Sequence, residues 1–194
     1  MKKIFTVLSG LVLAATIIAH VPQKSTYSIG DFAHGGIVFW VDETGQHGLV
    51  CAKEDQSAGV IWARSFGDTY ANKDGIYKGK RNTAIIIAAQ EAMGDEDIIY
   101  AARICNELEI TENGKTYDDW YLPSRKEVNL MWQSRAAVNK AALANGGSAF
   151  ESNGFYWSSN EYTDNLGWIQ LFYSVSQHYY FKSDIARVRA IRAF

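Results

Sequence analysis

Asp119-Trp-Tyr-Leu-Pro-Ser-Arg-Lys-Glu127 is the stretch on which the fold turns, because it carries a complete helix-start signal. Ser124 and Glu127 have capping-box spacing. The serine hydroxyl accepts from the Glu127 amide, and the glutamate carboxylate reaches back to the Ser124 amide. Trp120, Leu122 and Pro123 read as structural residues that fix the entry into this helix, and Glu127 reads as a cap rather than a general acid. An apolar face of Val128, Met131 and Trp132 follows, then a further Ala-rich helix running to Asn145-Gly-Gly147. Upstream, apolar positions recur at helical spacing from near Asp95 through Ile98, Ala101, Ala102 and Cys105 to about Leu108, which turns Cys105 toward the core. An earlier helix over Ala84–Ala92 takes Asn82 or Thr83 as its cap and ends at Gly94.

Strand-like segments flank this helical middle. Gly36-Ile-Val-Phe-Trp-Val41 and Gly48-Leu-Val-Cys-Ala52 form a hairpin across the turn residues Asp42–His47. Residues 54–81 are loop-rich, with Trp62 a candidate for burial. Twelve of the 26 aromatic residues lie from Phe150 onward, where helix-forming runs disappear. There Phe155–Ser158, Trp168–Phe172 and Arg187–Arg192 read as short strands. No repeat or linker interrupts the chain. The expectation is one α+β domain of small antiparallel sheets with two to four helices in the middle third.

The first residues carry an export signal. Lys2 and Lys3 precede an apolar run from Ile4 to Ala19, the layout of a signal peptide (residues 1–19) cut after Ala19. The run is shorter than the ~20 residues of a spanning helix, and no cysteine before Cys51 offers a lipid anchor. An uncleaved membrane anchor is the alternative reading. Cleavage places residues 20–194 at the cell surface, in the extracellular space or in the periplasm, and not in a membrane. Removing the two lysines moves the formal charge from -2 to -4, and no basic stripe suits nucleic acid. Cys51 and Cys105 enter an oxidising compartment either as a disulfide or as two buried thiols.

Four stretches, in order, carry a family resemblance. They are Gly35–Asp42 with Gly45–Val50, Asp119–Ser124 with Glu127, Tyr156-Trp-Ser-Ser159 with Glu161-Tyr162, and Val188-Arg-Ala-Ile-Arg192. Together they resemble the C-terminal domain family of the Legionella collagen-like adhesin, which has a C-type-lectin-like fold. That resemblance implies ligand binding outside the cell, often to carbohydrate, and no catalytic residues. The collagen-like repeat that would drive a trimer is absent, so no oligomeric state is implied. No cofactor is expected. Some C-type-lectin-like domains bind calcium, but the acidic residues here show no recognisable ligand spacing.

The C-terminal quarter also resembles the variable proteins of bacterial diversity-generating retroelements. In these, randomised adenines in asparagine-type codons reach fifteen residue types but never Lys, Glu, Gln, Met or Trp. Within the variable-looking region 160–185, between the fixed-looking Glu161-Tyr162 and Arg187, the resemblance implies variable, ligand-binding positions at Thr163, Asp164, Asn165, Leu166, Ile169, Leu171, Tyr173, Ser174, Ser176, His178, Tyr179, Tyr180, Phe181, Ser183, Asp184 and Ile185. All sixteen are reachable types. After Tyr162, the unreachable Trp168, Gln170, Gln177 and Lys182 fall at positions read as scaffold. Sixteen such coincidences have a chance of about one in thirty if the five types make up about a fifth of average composition.

The residues themselves also suit binding. Tyrosines offer large contact area with few rotatable bonds, and Ser, Asn and Asp add adaptable hydrogen bonds. Trp157, Trp168 and Phe172 read as core. Tyr179-Tyr180-Phe181 cannot all be buried in a one-sided sheet, because neighbouring strand residues point to opposite faces. Arg187, Arg189 and Arg192 read as solvated or paired with carboxylates, with an anionic ligand such as a sulfated sugar as the alternative. The ligand expected is a protein or a glycan. A fixed-specificity carbohydrate-binding adhesin of the same fold is the second reading. An enzyme of the formylglycine-generating kind, which works through cysteines and copper, is the third. His34, His47 and His178 stand apart, and no catalytic motif appears.

Overall fold

A computed structural model of the chain describes residues 26–194. The expected signal peptide and its cut after Ala19 lie outside the described residues. The N-terminal hairpin forms as read. Strands β2 (Gly36–Val41) and β3 (Gly48–Cys51) pair antiparallel, with β1 (Phe32–Ala33) on the free side of β2. Ile37, Phe39, Leu49 and Cys51 enter one buried cluster, while Val38 and Val50 enter another. Both faces of the hairpin are therefore covered, which accounts for its near-continuous apolar sequence. The last strand of the chain, β11 (Ile191–Ala193), pairs antiparallel with β3, so the chain end closes on the hairpin.

The intervening chain holds β4 (Ser57–Ile61), α1 (Lys78–Ala92), α2 (Ala101–Asn106), the hairpin β5 (Ile110–Glu112) and β6 (Lys115–Tyr117), and α3 (Arg125–Ala144). Strands β7 (Phe155–Thr163), β8 (Leu166–Leu171), β9 (Gln177–Phe181) and β10 (Ile185–Val188) follow. The second sheet has the order β4-β10-β7-β8-β9, and only the β10–β7 pairing in it is parallel. The described chain is thus a mixed α+β fold of small, mainly antiparallel sheets with three helices.

The capping box is complete. Ser124 accepts from the Glu127 amide, and Glu127 accepts from the Ser124 amide. The helix it starts runs unbroken to Ala144, and no second Ala-rich helix begins within it. Two other helices differ from expectation. α1 starts four residues before Asn82, which with Thr83 lies buried inside it. Its first amides are capped from a distant part of the chain, because Tyr77 N and Gly79 N donate to the Glu127 carboxylate at 2.7 and 3.1 Å. One buried carboxylate therefore caps two helices. Burial pushes this carboxyl above its ordinary range, while the donated hydrogen bonds pull it back. Asn82 instead braces the loop before α1, pairing its side chain with both backbone groups of Lys73. α2 is shorter than read, although Cys105 does face the core.

Where α1 and α3 meet, Gly79 leaves no room for a side chain. A Cβ there would lie 2.5 Å from the Leu122 carbonyl and 2.8 Å from the Ser124 amide nitrogen. Alanine ordinarily stabilises a helix relative to glycine. Here Gly79→Ala should instead cost about 1–3 kcal/mol through overpacking. Unchanged urea unfolding of that variant would contradict the packing described.

The disulfide held open by the sequence is absent. Cys51 and Cys105 are free, fully buried thiols. Cys51 lies in the cluster against α3, and Cys105 lies in the cluster under α1 and α2. Burial pushes the Cys51 thiol up to about 12 and raises that of Cys105 as well, so neither is a ready nucleophile.

Candidate ligand-binding surface

The aromatic C-terminal quarter folds into β7, β8 and β9, three of the five strands of the second sheet. Its centre of support is Lys182. The Lys182 side chain is fully buried and its ammonium pairs with Glu161 at 2.5 Å. It also donates to the carbonyls of Gly67 and Asp164, at 2.9 and 2.7 Å, and lies over the Trp62 ring. Glu161 uses its carboxylate a second time, accepting from the amides of Thr69 and Tyr70. One buried ion pair thus ties together the loop through Gly67, the β7–β8 turn and the β9–β10 turn.

The other positions read as scaffold also have framing contacts. Gln170 is fully buried and donates to the carbonyls of Leu171, Ser174 and Ser176, which shapes the β8–β9 turn. Gln177 and Arg125 exchange hydrogen bonds, so β9 is pinned to the start of α3. The Arg125 guanidinium also stacks 3.6 Å above the Trp168 ring, leaving Trp168 half-buried rather than in the core. Trp157 and Phe172 are buried as expected.

The sixteen candidate positions separate by burial. Asp164, Tyr173, Ser176, His178, Tyr179, Phe181, Ser183, Asp184 and Ile185 are exposed. Thr163, Asn165, Leu166, Ser174 and Tyr180 are half-buried. In the β7–β8 turn, the Thr163 hydroxyl bonds the Asn165 side chain. Ile169 and Leu171 do not belong to any accessible surface. They are 1 % and 6 % exposed and pack in the core cluster with Trp157 and Val188. The register explains this: Ile169 is opposite Trp157 and Leu171 opposite Phe155, on the face of β8 turned inward.

The run Tyr179-Tyr180-Phe181 divides between faces. Tyr179 and Phe181 are about half exposed, at 48 % and 54 %, while Tyr180 leans on Phe155 and Trp157. Tyr162, read in the sequence as fixed, belongs to the exposed patch. Its ring stacks on Tyr179 with centroids 4.5 Å apart and planes 16° from parallel. Two further exposed aromatics, Phe66 and Tyr70, come from the loop tethered to Asp164 and Glu161. Only the loop-rich texture of residues 54–81 hinted at them, since loops have no periodicity to reveal a face.

The terminal arginines are committed to the fold. Arg189 is fully buried on Asp55 at 2.6 Å, and Arg187 shares the same carboxylate at 3.1 Å. Arg192 pairs with Asp119. The anionic-ligand reading of these residues is therefore withdrawn, because their charges are already matched. His34 stacks on Phe194 beside the N-terminal hairpin, whereas His178 stands on β9 in the other sheet, so the histidines do not converge. Among the described residues no helix is long and apolar enough to cross a membrane, and no cluster of His, Cys, Asp and Glu has the makings of a metal site. Comparison of the chain with models of known protein families and with curated proteins finds no match.

Proposed function

We propose that this chain is an exported ligand-binding protein of C-type-lectin-like fold that presents the β7–β9 surface to a protein or glycan, in the manner of retroelement-diversified variable proteins. The observation that carries the reading is the exposed group Tyr162, Tyr179 and Phe181, set on a frame held by the buried Lys182–Glu161 pair and the buried Gln170 side chain. Rigid aromatic side chains beside Ser and Asp lose little conformational entropy on binding. The stretches that suggested the family support the fold, because they interlock. Tyr121 bridges Ile191, and the Ser159 amide donates to the Pro123 carbonyl. The hairpin strand β3 takes β11 as its neighbour.

The proposed variable positions narrow to the fourteen that reach the surface, since randomising Ile169 or Leu171 would open or overfill the core. Sequencing the 3′ end of the gene and its surroundings tests diversification directly. A near-copy with adenines at the surface positions, beside a reverse transcriptase, is the expected finding. Its absence would leave a fixed-specificity adhesin, the reading favoured if the stacked Tyr162–Tyr179 pair is a platform for sugar rings. The paired replacement Tyr179→Ala with Phe181→Ala should weaken ligand binding about 30-fold or more while leaving the unfolding midpoint nearly unchanged. Undiminished binding in a calorimetric titration would remove this surface from the proposal. A cysteine-based enzyme is disfavoured by the burial of both thiols.

A further inference from the structure

Strand β9 is the edge of its sheet, and its backbone is half unpaired. The register pairs Trp168 with Tyr179 and Gln170 with Gln177. Hydrogen bonds from Lys182 N to Asn165 O and from Leu171 N to Ser176 O mark which pairs exchange bonds across the ladder. In an antiparallel pair these alternate, so His178 and Tyr180 face β8, while Gln177, Tyr179 and Phe181 turn their backbone groups outward. Phe181 is satisfied within its own turn: its amide donates to the Asp184 carboxylate, and its carbonyl accepts from the Asp184 amide. The amides and carbonyls of Gln177 and Tyr179 have no partner among the described residues. No proline, lysine or bulge blunts this edge, and β8 is the one strand laddered to β9; the start of α3 reaches it through hydrogen bonds between Arg125 and the Gln177 side chain, and β7 through the Tyr162–Tyr179 stack.

The geometry points to an extended polypeptide segment as the ligand, added to β9 as a sixth strand. This rests on the proposed binding role of the surface and narrows it. The open edge repeats a donor and an acceptor at Gln177 and again at Tyr179, roughly 7 Å further along. An extended peptide matches that repeat with its own alternate residues, whereas a saccharide has no such period. Alternate side chains of the added strand would lie beside the exposed rings of Tyr179 and Phe181, which supply the apolar contact. The exposed carboxylate of Asp184, which accepts from the Phe181 amide, favours a basic residue at that end. Because the edge closes at Phe181, the added strand is short, and contacts with the exposed Tyr179 and Phe181 rings rather than ladder length set its specificity.

The test uses the full secreted chain and a displayed library of random linear peptides. Peptides with alternating apolar residues should be enriched. On binding one of them, amide hydrogen exchange should slow at Gln177 and Tyr179 and stay unchanged at His178 and Tyr180, already bonded to β8. Tyr179→Pro, tolerated on an edge strand with its N–H outward, should weaken the peptide about tenfold beyond Tyr179→Ala. The exchange measurement on the unaltered chain decides the matter if the proline variant does not fold. No enriched peptide, or peptides that leave both amides unprotected, would overturn the inference. Glycan binding that depends on Tyr179 and Phe181, with no peptide selected, would overturn the strand-addition inference alone. Dependence of no ligand on those residues would overturn the binding role as well.

Discussion

Lys182→Met should lower the folding stability by about 3–5 kcal/mol, because it leaves the Glu161 carboxylate buried without its cation. The Lys182 side chain is fully buried and Glu161 only slightly exposed, so little solvent screening relieves the loss. In a domain of this size that corresponds to a fall in Tm of roughly 10–15 °C. Adding Glu161→Gln should recover part of it, since the charge disappears while one oxygen still accepts from the loop amides of Thr69 or Tyr70. A double-mutant cycle by thermal unfolding measures the coupling. The consequence reaches the proposed ligand surface, because the ammonium also holds the Gly67 and Asp164 carbonyls. Amide exchange should rise first in the loop around Gly67 and in the two turns tied to it. A loss below about 1 kcal/mol would mean the pair is worth no more than a surface bridge.

Glu127→Gln should cost about 3 kcal/mol, although it changes one atom. One carboxylate oxygen accepts from the Tyr77 amide and the Tyr121 hydroxyl, the other from the Gly79 and Ser124 amides. An amide NH2 in place of either oxygen would point its hydrogens at an N–H group of a helix start. Both α1 and α3 would lose cap partners together, so the variant should unfold at lower urea concentration with an unchanged m-value. Ser124→Ala tests the local cap alone and should cost about 1 kcal/mol. If the two variants prove equally mild, Glu127 is only a capping-box residue and does not join the helices.

Much of this was readable from residue order. Ser124 and Glu127 marked the start of α3 because a capping box is local, needing only three residues of separation. The N-terminal hairpin was legible because apolar runs and turn residues alternate within sixteen positions. The start of α1 was misplaced for the converse reason. Its cap is Glu127, about fifty residues away, and Asn82, a good local cap by type, was drawn into the helix by contacts with Lys73. β4 lies in a stretch that reads only as loop, and β9 shows as strand only through Tyr179-Tyr180-Phe181. β4, with a glycine and an alanine on its exposed run, lacks the alternation that reveals a half-buried strand, and β9 is an edge strand with little burial to pattern it.

The C-terminal surface divides along the same line. Residue types alone placed aromatic and short polar residues together near the chain end, and set Lys182 and Gln170 apart from their neighbours. They did not distinguish Ile169 and Leu171 from Phe181 and Ile185, because a strand's two faces are assigned by its partners. Only pairing with β7 turned Ile169 and Leu171 into the core, and only stacking on Tyr179 brought Tyr162 onto the exposed patch. The sequence by itself determined the α+β class, the capped helix and the region rich in binding-type side chains, all properties of short-range order. The tertiary structure decided which charges are spent on the frame, which side chains remain outside and where a sheet edge stays open. Those follow from contacts between residues far apart in the chain, which no local pattern encodes.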